Sequence, residues 1–178
     1  DFIKITAKEK MPAVALTDSG NMMAAFHFVQ AVQGHNKEAE AKNKEAEEKG
    51  ETPTETLIKP IIGCEFNICE NHLDKSRQDN GYQVVILAKN KQGYHNLTKM
   101  ASIASTKGFY YVPRIDKAIV EQYKSDLMVL SGGINGEIPS KILNIGTKQA
   151  EEALLWWKEQ FGDDFYLEVM RHNQEDEN

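Results

Sequence analysis

Residues 11–21, MPAVALTDSGN, decide how the sequence is expected to fold, because an apolar, β-prone run ends there in the polar letters TDSGN. A helical pattern of apolar residues begins directly after them. A strand that ends in polar residues just before a helix is typical of a βα loop in an α/β protein. Because the active sites of such proteins lie on these loops, the stretch is the first candidate for a functional site.

Length and composition indicate one globular domain of 178 residues, 40% of them hydrophobic and 27% charged. The net charge of -6 argues against duplex nucleic-acid binding by this chain alone. No apolar run approaches the roughly 20 residues that span a membrane. Cys64 and Cys69 lie on one predicted strand and point to opposite faces, which predicts reduced thiols and a cytoplasmic protein. The chain starts without Met and directly in a helical pattern, from which we expect a piece of a longer protein.

Apolar strands alternate with helical patterns along the chain. Predicted strands are at 13–17, 57–68, 82–88, 127–130 and 165–170, and predicted helices at 1–10, 22–32, 90–104, 116–123, 137–143 and 147–161. Asp1, Asn90 and Thr147 are the predicted N-caps of three of these helices. The alternation predicts parallel strands with helices outside them. A (β/α) barrel and a doubly wound sheet satisfy this pattern equally.

Residues 35–51 consist almost entirely of Lys, Glu, Ala and Asn, with Glu and Lys in the favourable i, i+4 order at 38/42, 40/44 and 45/49. This composition predicts a solvated helix or a mobile insertion. A linker with Gly50 and Pro53 continues it to about residue 56. Nothing apolar in the segment is expected to join a core, so we interpret it as an insert without a catalytic role.

Three smaller patterns leave alternatives open. The letters SGGING (131–136) suit a phosphate cradle, although a tight turn into the next helix is the simpler interpretation. Cys69 and His72 have the Cys-x-x-His spacing of zinc sites, but no second pair follows at zinc-finger distance. Arg114 is a candidate for an ion pair or an interdomain contact.

Five phrases stand in the order and spacing of one protein family: ALTDSGN (15–21), KPIIGCE (59–65), YQVVILAKN (82–90) with GYHNL (93–97), GFYYVPRID (108–116), and LS (130–131) with GEIP (136–139). Together they resemble the polymerase and histidinol phosphatase (PHP) domain at the N-terminus of bacterial DNA polymerase III alpha subunits. The resemblance implies a distorted (β/α)7 TIM-like barrel, incomplete at both chain ends. Residues 1–178 are then one PHP domain with a charged helical insert at about 35–56.

The resemblance also implies four metal-ligand positions within this sequence. The family's barrel can hold three metal ions through histidines, carboxylates and a cysteine at strand ends, which activate water against a phosphoester. Ser19 stands where the family has a histidine, Gln83 replaces a second histidine, and Gly133 replaces the cysteine. Glu65 is the only family ligand retained. Because a single carboxylate does not hold a cluster, we expect no metal and no catalytic residue in this chain.

The remaining letters of the first stretch have a structural interpretation. Asp18, Gly20 and Asn21 are expected to organise the loop, with the carboxylate of Asp18 accepting backbone N–H groups where the next helix starts. The resemblance places further family ligands outside the sequence, a His-x-His pair before Asp1 and an Asp-x-His pair after Asn178.

From the resemblance we expect the PHP domain of a replicative DNA polymerase. The parent protein would be a DNA-directed DNA polymerase, a nucleotidyltransferase that uses Mg²⁺ in a separate polymerase domain. This domain would be a metal-free structural platform that docks a proofreading exonuclease subunit, with the rest of the polymerase chain and other replisome subunits as neighbours. DNA would be reached through the parent protein, and no membrane is involved.

The alternative is an enzyme in its own right. A PHP domain with substitute ligands would be an active metal-dependent 3′–5′ exonuclease or phosphoesterase that uses Zn²⁺ or Mn²⁺. A free-standing metabolic phosphatase does not explain the polymerase-type phrases GFYYVPR and GEIP.

Overall fold

The structure, a computed structural model, describes residues 2–170. Asp1 and its predicted capping role lie outside the described residues. The elements in chain order are α1 (Phe2–Lys8), β1 (Ala13–Ser19), α2 (Ala25–Glu48), β2 (Lys59–Cys69), β3 (Tyr82–Ala88), α3 (Lys91–Thr106), β4 (Arg114–Asp116), α4 (Lys117–Tyr123), β5 (Leu127–Leu130), α5 (Glu137–Asn144), α6 (Thr147–Phe161) and β6 (Phe165–Tyr166). This alternation confirms the predicted α/β class.

The strands form one sheet in the order β1-β2-β3-β5-β6, with β4 paired to β2. The pairs β2–β4 and β5–β6 are parallel, whereas β2–β3 and β3–β5 are antiparallel. The prediction of parallel strands throughout is therefore wrong. The connection from β2 to β3 contains no helix, so the chain turns straight back beside the strand that it leaves. In the part of the chain that the structure describes, the sheet is open and does not close into a barrel.

The chain divides into two compact units, which we describe separately. The helical unit comprises the residues up to Leu16 and Met23–Ile62, and the sheet unit comprises Thr17–Met22 and the residues from Gly63 onward. In the sheet unit, α3 and α6 bury their apolar faces together with β2, β3 and β5. Core side chains here include Phe66, Ile86, Leu97, Met100, Val129 and Trp157.

Local patterns predicted most of the element boundaries in the sheet unit. Asn90 caps α3 as predicted, with its side chain accepting a hydrogen bond from the Gly93 N–H. The predicted cap at Thr147 is wrong, because Gly146 is the N-cap of α6 and no side chain bonds there. The last predicted strand is also too long, since β6 ends at Tyr166. Two residues later the Glu168 N–H donates to the Ser131 hydroxyl, at 2.9 Å, instead of to a neighbouring strand.

In the helical unit, the charged segment is the second half of α2, a continuous helix of 24 residues. It is a helix, as one of the two alternatives predicted, but it does carry a core residue, since Ala39 is 2% exposed. Two asparagines bind the segment that leads into β2. Asn36 exchanges two hydrogen bonds of 2.8 Å with the backbone of Ile58, and Asn43 exchanges two with the backbone of Glu55, at 2.9 and 3.0 Å. The composition of the segment did not predict these hydrogen bonds, because it identifies an asparagine only as a polar residue.

The loop at residues 70–81 of the sheet unit is held in place by Arg114, whose side chain is fully buried. Its guanidinium donates to four backbone carbonyls, those of Gly108 at 3.1 Å, Asp79 at 2.8 Å, Asp74 at 2.9 Å and His72 at 3.5 Å. The bonding groups are thus carbonyls of the same unit. Arg114 forms no ion pair with any residue in 2–170, contrary to that expectation, and its interdomain contact stays a prediction. An arginine suits this position because its five N–H donors fan out in one plane.

A second buried anchor of the same loop is Asp116. Its Oδ2 lies 2.5 Å from His72 Nδ1 and accepts the His72 backbone N–H, and its Oδ1 caps α4 at Ile119. The Cys69 thiol donates a hydrogen bond to a different group, the Ile115 carbonyl, at 3.3 Å. His72 and Cys69 are therefore both bonded to residues of β4 and do not form a zinc pair.

Asp116 should make the stability of the fold depend on pH. Burial raises the pKa of its carboxyl, but the hydrogen bonds from His72 and Ile119 outweigh burial and hold that pKa below its ordinary value. A pKa that is lower in the folded than in the unfolded state stabilises the fold above the unfolded value of about 4, and this gain is lost as the pH falls through the folded value. We expect Asp116→Asn to lower the free energy of unfolding by about 2 kcal/mol at pH 7.

The measurement is urea unfolding of both proteins at several pH values. The difference in free energy of unfolding between the two proteins should decrease below about pH 4, where the carboxyl of the natural protein becomes protonated. The exposed Asp163→Asn is the matched control and should leave stability unchanged. A gap of constant size from pH 7 into the acid range would contradict the assigned role of the Asp116 charge.

Within residues 2–170, no helix combines the length and the apolar character that crossing a membrane requires.

Candidate functional site

Ser19 and Glu65 meet where β1 ends beside β2. The Ser19 hydroxyl donates a hydrogen bond of 2.7 Å to Glu65 Oε1, and the Gly20 N–H donates to the Glu65 backbone carbonyl at 2.8 Å. The strand order explains this meeting, because β1 and β2 are neighbours in the sheet. The serine at the family's histidine position is thus bonded directly to the one retained family ligand.

The other two family positions line a cleft with Glu65. This cleft, which we call the Glu65 cleft, has a volume of about 180 Å³ and lies where β2 and β3 meet the turn after β5. Its lining residues are Glu65, Gln83, Val85, Gly132, Gly133, Ile134, Asn135, Glu168 and Met170. The structure therefore brings all four family ligand positions together, three in the cleft and Ser19 through its bond to Glu65.

The loop after β1 has the tight geometry that its sequence suggests. Gly20 has φ +70°, a conformation that favours glycine, and a Cβ on it would make a tight contact of 3.1 Å with the Pro113 ring. The Asn21 side chain donates to the Ser19 carbonyl at 3.1 Å. These residues shape the turn but do not start the helix, because α2 begins only at Ala25 and has Ala24 as its N-cap. That Asp18 organises this loop stays a prediction.

Glu168 belongs to the cleft and was missed in the sequence. Burial raises the pKa of its carboxyl, and the negative charge of Glu65 raises it further, against a smaller opposing effect of the Gly132 N–H. Its Oε2 is buried and has no hydrogen-bond partner among the described residues. A carboxylate within the apolar letters FYLEVM is the same signal that pointed to Glu65, but the run was interpreted only as a strand.

The glycine-rich letters SGGING form a packed turn. Gly132 has φ +78°, and a Cβ there would lie 2.2 Å from the Gln83 carbonyl oxygen. The Gly136 N–H donates to the Gly133 carbonyl at 2.8 Å, and the Asn135 carbonyl accepts the Gln83 N–H at 3.0 Å. The turn leads directly into α5, as the simpler interpretation predicts, and the phosphate cradle stays a prediction.

Neither cysteine can stand in for the thiolate that Gly133 lacks. Both thiols are free and buried. Burial raises the pKa of Cys64 to about 12 against the opposing N–H groups of Gly20 and Asn21, and burial raises that of Cys69 to about 11. Neither cysteine lines the Glu65 cleft, so neither replaces the missing thiolate there.

The donors of the Glu65 cleft do not fit a three-metal cluster. They are the carboxylates of Glu65 and Glu168, the amide of Gln83, and a Ser19 hydroxyl that is already bonded to Glu65. Gly133 offers no side chain, and among residues 2–170 neither an imidazole nor a thiol lines the cleft. Across residues 2–170, no three or more His, Cys, Asp or Glu side chains cluster in a way that could hold a metal ion. A cluster of that kind needs several well-placed ligands on each ion.

Comparison with known proteins gives one consistent result. The family model of the PHP domain matches residues 1–172. Similar proteins named DNA polymerase III subunit alpha include those of Borreliella burgdorferi, 38% identical over 99% of this chain, Chlamydia trachomatis, 32% over 99%, and Thermus aquaticus, 36% over 96%. The chain spans only 13 to 14% of the length of these relatives.

Proposed function

The chain belongs to the PHP domain family, and from this premise we propose that it is a metal-free structural platform within a bacterial replicative DNA polymerase. The observation that carries the proposal is the Ser19–Glu65 hydrogen bond. It satisfies the retained ligand with a hydroxyl, in a cleft where Gln83 and Gly133 provide neither imidazole nor thiolate. The family match over residues 1–172 supports a kept fold, and the sequence differs from the expected metal ligands at Ser19, Gln83 and Gly133.

The parent protein would carry out template-directed DNA synthesis with Mg²⁺ in a separate polymerase domain. Support comes from the relatives, all named as alpha subunits of DNA polymerase III, of which this chain matches a small part. DNA would be contacted by that polymerase domain, since the net charge of -6 gives this chain no overall basic surface. The two free, buried thiols suit a cytoplasmic protein.

To test the metal-free state, zinc and manganese are measured in the purified full-length parent protein after dialysis. We expect amounts far below one ion per chain, because two carboxylates, an amide and an engaged hydroxyl bind these ions weakly. Mg²⁺ is left out of the measurement, since the proposed polymerase domain would bind it independently. A stoichiometric zinc or manganese cluster that survives dialysis would overturn the proposal.

We further propose that the platform docks the proofreading exonuclease subunit of the replisome, which would supply the nuclease activity that this domain lacks. The expected result is co-elution of the full chain with that subunit in size-exclusion chromatography. The complex should persist in the presence of a chelator, because a structural platform does not depend on a bound metal. Separate elution under conditions where both proteins are folded would contradict this role.

One observation favours a second candidate, an active metal-dependent 3′–5′ exonuclease or phosphoesterase. Glu168 adds a second carboxylate to the Glu65 cleft, and its buried Oε2 lacks a partner among the described residues. This candidate requires Mn²⁺- or Zn²⁺-dependent release of nucleotides from a DNA 3′ end. Glu65→Ala should then abolish the release, and the exposed Glu159→Ala should not. Activity no greater than background in the full chain removes the candidate.

A further inference from the structure

A second and larger cleft lies on the sheet unit, away from the Glu65 cleft. We call it the loop cleft, and its volume is about 780 Å³. It is lined by residues 68–70 and 77–82 together with Lys117, Glu137 and Lys141, and it shares no lining residue with the Glu65 cleft. The volume lies within the range of known small-molecule sites.

Glu137 is the centre of the polar groups in the loop cleft. It is 4% exposed, and its Oε1 accepts hydrogen bonds from both Lys117, at 2.8 Å, and Lys141, at 2.7 Å. Its Oε2 accepts from Trp157 Nε1 at 2.8 Å. Burial raises the pKa of Glu137, but the bonds from the two lysines outweigh burial and keep that pKa below its ordinary value. One ionised carboxylate thus holds two ammonium groups, and the three groups together carry one net positive charge.

Aromatic rings fix the two ammonium groups further. Lys117 Nζ lies 4.5 Å from the centre of the Trp156 ring, and Lys141 Nζ lies 5.9 Å from that of Tyr82. The side chains remain 32% and 20% exposed, so solvent reaches both. An ammonium has three N–H donors, and the structure gives each of these lysines one hydrogen bond, to Glu137. Both lysines are therefore preorganised and still have donors for a ligand.

The two other acidic residues of the lining, Glu70 and Asp79, are bonded within the loop. Asp79 accepts the backbone N–H groups of Glu70 and Gly81, both at 2.9 Å. Glu70 forms an ion pair with Arg77 at the exposed edge. The lining thus contains three cationic and three acidic side chains, and all three acidic ones are bonded to partners within the protein. The unused donors of Lys117 and Lys141 make an acceptor-rich ligand the best match.

We propose that the loop cleft is a binding site for a phosphate group, bonded by Lys117 and Lys141 and carried by free phosphate or by a nucleotide-sized phosphate ester. Lysine binds phosphate oxygens through charge-assisted hydrogen bonds. A metal cation would instead meet two ammonium groups, which repel it. The inference does not depend on the proposed function, because it uses no residue of the Glu65 cleft.

Equilibrium dialysis of the full chain against inorganic phosphate and against AMP, at low ionic strength, tests the site. Lys117→Gln and Lys141→Gln should each weaken binding by about tenfold, since each removes one charge-assisted hydrogen bond. The control is Lys158→Gln, an exposed lysine at the end of α6, which should bind as the natural protein does. Tighter binding of AMP than of phosphate identifies an ester as the ligand, and equal binding identifies the free ion.

A second measurement needs no variant and so is independent of their folding. Saturating phosphate should slow the chemical acetylation of Lys117 and Lys141, followed by mass spectrometry, and leave Lys158 unaffected. No saturable binding of either probe, equal binding by all three lysine variants, or no protection of the two lysines from acetylation would each overturn the proposal.

Discussion

Replacing Arg114 by alanine is expected to lower the free energy of unfolding by about 4 kcal/mol. The side chain is fully buried, and its removal leaves four carbonyls without the donor that they share, those of Gly108, His72, Asp74 and Asp79. Each buried carbonyl that loses its donor costs about 1–3 kcal/mol, and the emptied volume adds a cavity cost. Water that enters the opened loop offsets part of this free-energy cost. The measurement is equilibrium unfolding in urea at pH 7.

Arg77→Ala is the matched control, because Arg77 belongs to the same loop but its side chain is 67% exposed. An exposed ion pair such as Arg77–Glu70 contributes at most about 1 kcal/mol. Arg114→Met separates the two causes, since methionine fills much of the volume but donates no hydrogen bond. Arg114→Met should still lower the free energy of unfolding by the part that comes from the unbonded carbonyls. If Arg114→Ala were no more harmful than Arg77→Ala, the loop would not depend on the buried guanidinium.

The accuracy of the sequence-based prediction depends on the range of the interactions involved. The strands Tyr82–Ala88 and Leu127–Leu130 were predicted with the observed boundaries, because each is a short apolar run between clear breaks. The cap at Asn90 also depends only on its immediate neighbours. Strand direction is different, because it depends on which strands become neighbours. The antiparallel β2–β3 pair was missed for that reason.

Buried polar residues were the hardest to interpret from sequence. Arg114, Asp116 and Glu137 are all at least nine-tenths buried, and hydrogen bonds to distant parts of the chain satisfy each of them. A sequence shows the charge of such a residue but not the hydrogen-bond partner that offsets the free-energy cost of burying it. Arg114 was therefore considered for an ion pair or an interdomain contact, whereas within residues 2–170 its partners are backbone carbonyls. The four family positions came from a resemblance, and the contact between Ser19 and Glu65 became visible only in the structure.

Restoring the family ligands should restore metal binding if their replacement is what removed it. We expect the triple variant Ser19→His, Gln83→His, Gly133→Cys to bind Zn²⁺ about 100-fold more tightly than the natural chain, which corresponds to about 2.7 kcal/mol. The two imidazoles and the thiolate would join Glu65 in a set of donors that suits zinc, and Ser19→His also frees Glu65 from its present hydrogen bond. A Cβ at position 133 would lie 3.1 Å from Met170 Sδ, a contact that the flexible methionine can relieve.

Zinc affinity is measured by competition with a chromogenic chelator at pH 7.5, because imidazole and thiol must both lose a proton to bind. The matched control places alanine at the same three positions, which changes the same sites without adding a ligand, and should bind no better than the natural chain. Adding Glu65→Ala to the triple variant should reverse most of the gain, since the carboxylate is the one ligand already present. If the triple variant and the alanine control bind zinc equally, the replacements at 19, 83 and 133 are not what keeps metal from the cleft. The natural chain would then owe its weak binding to other residues, and the central argument for a metal-free platform would fail.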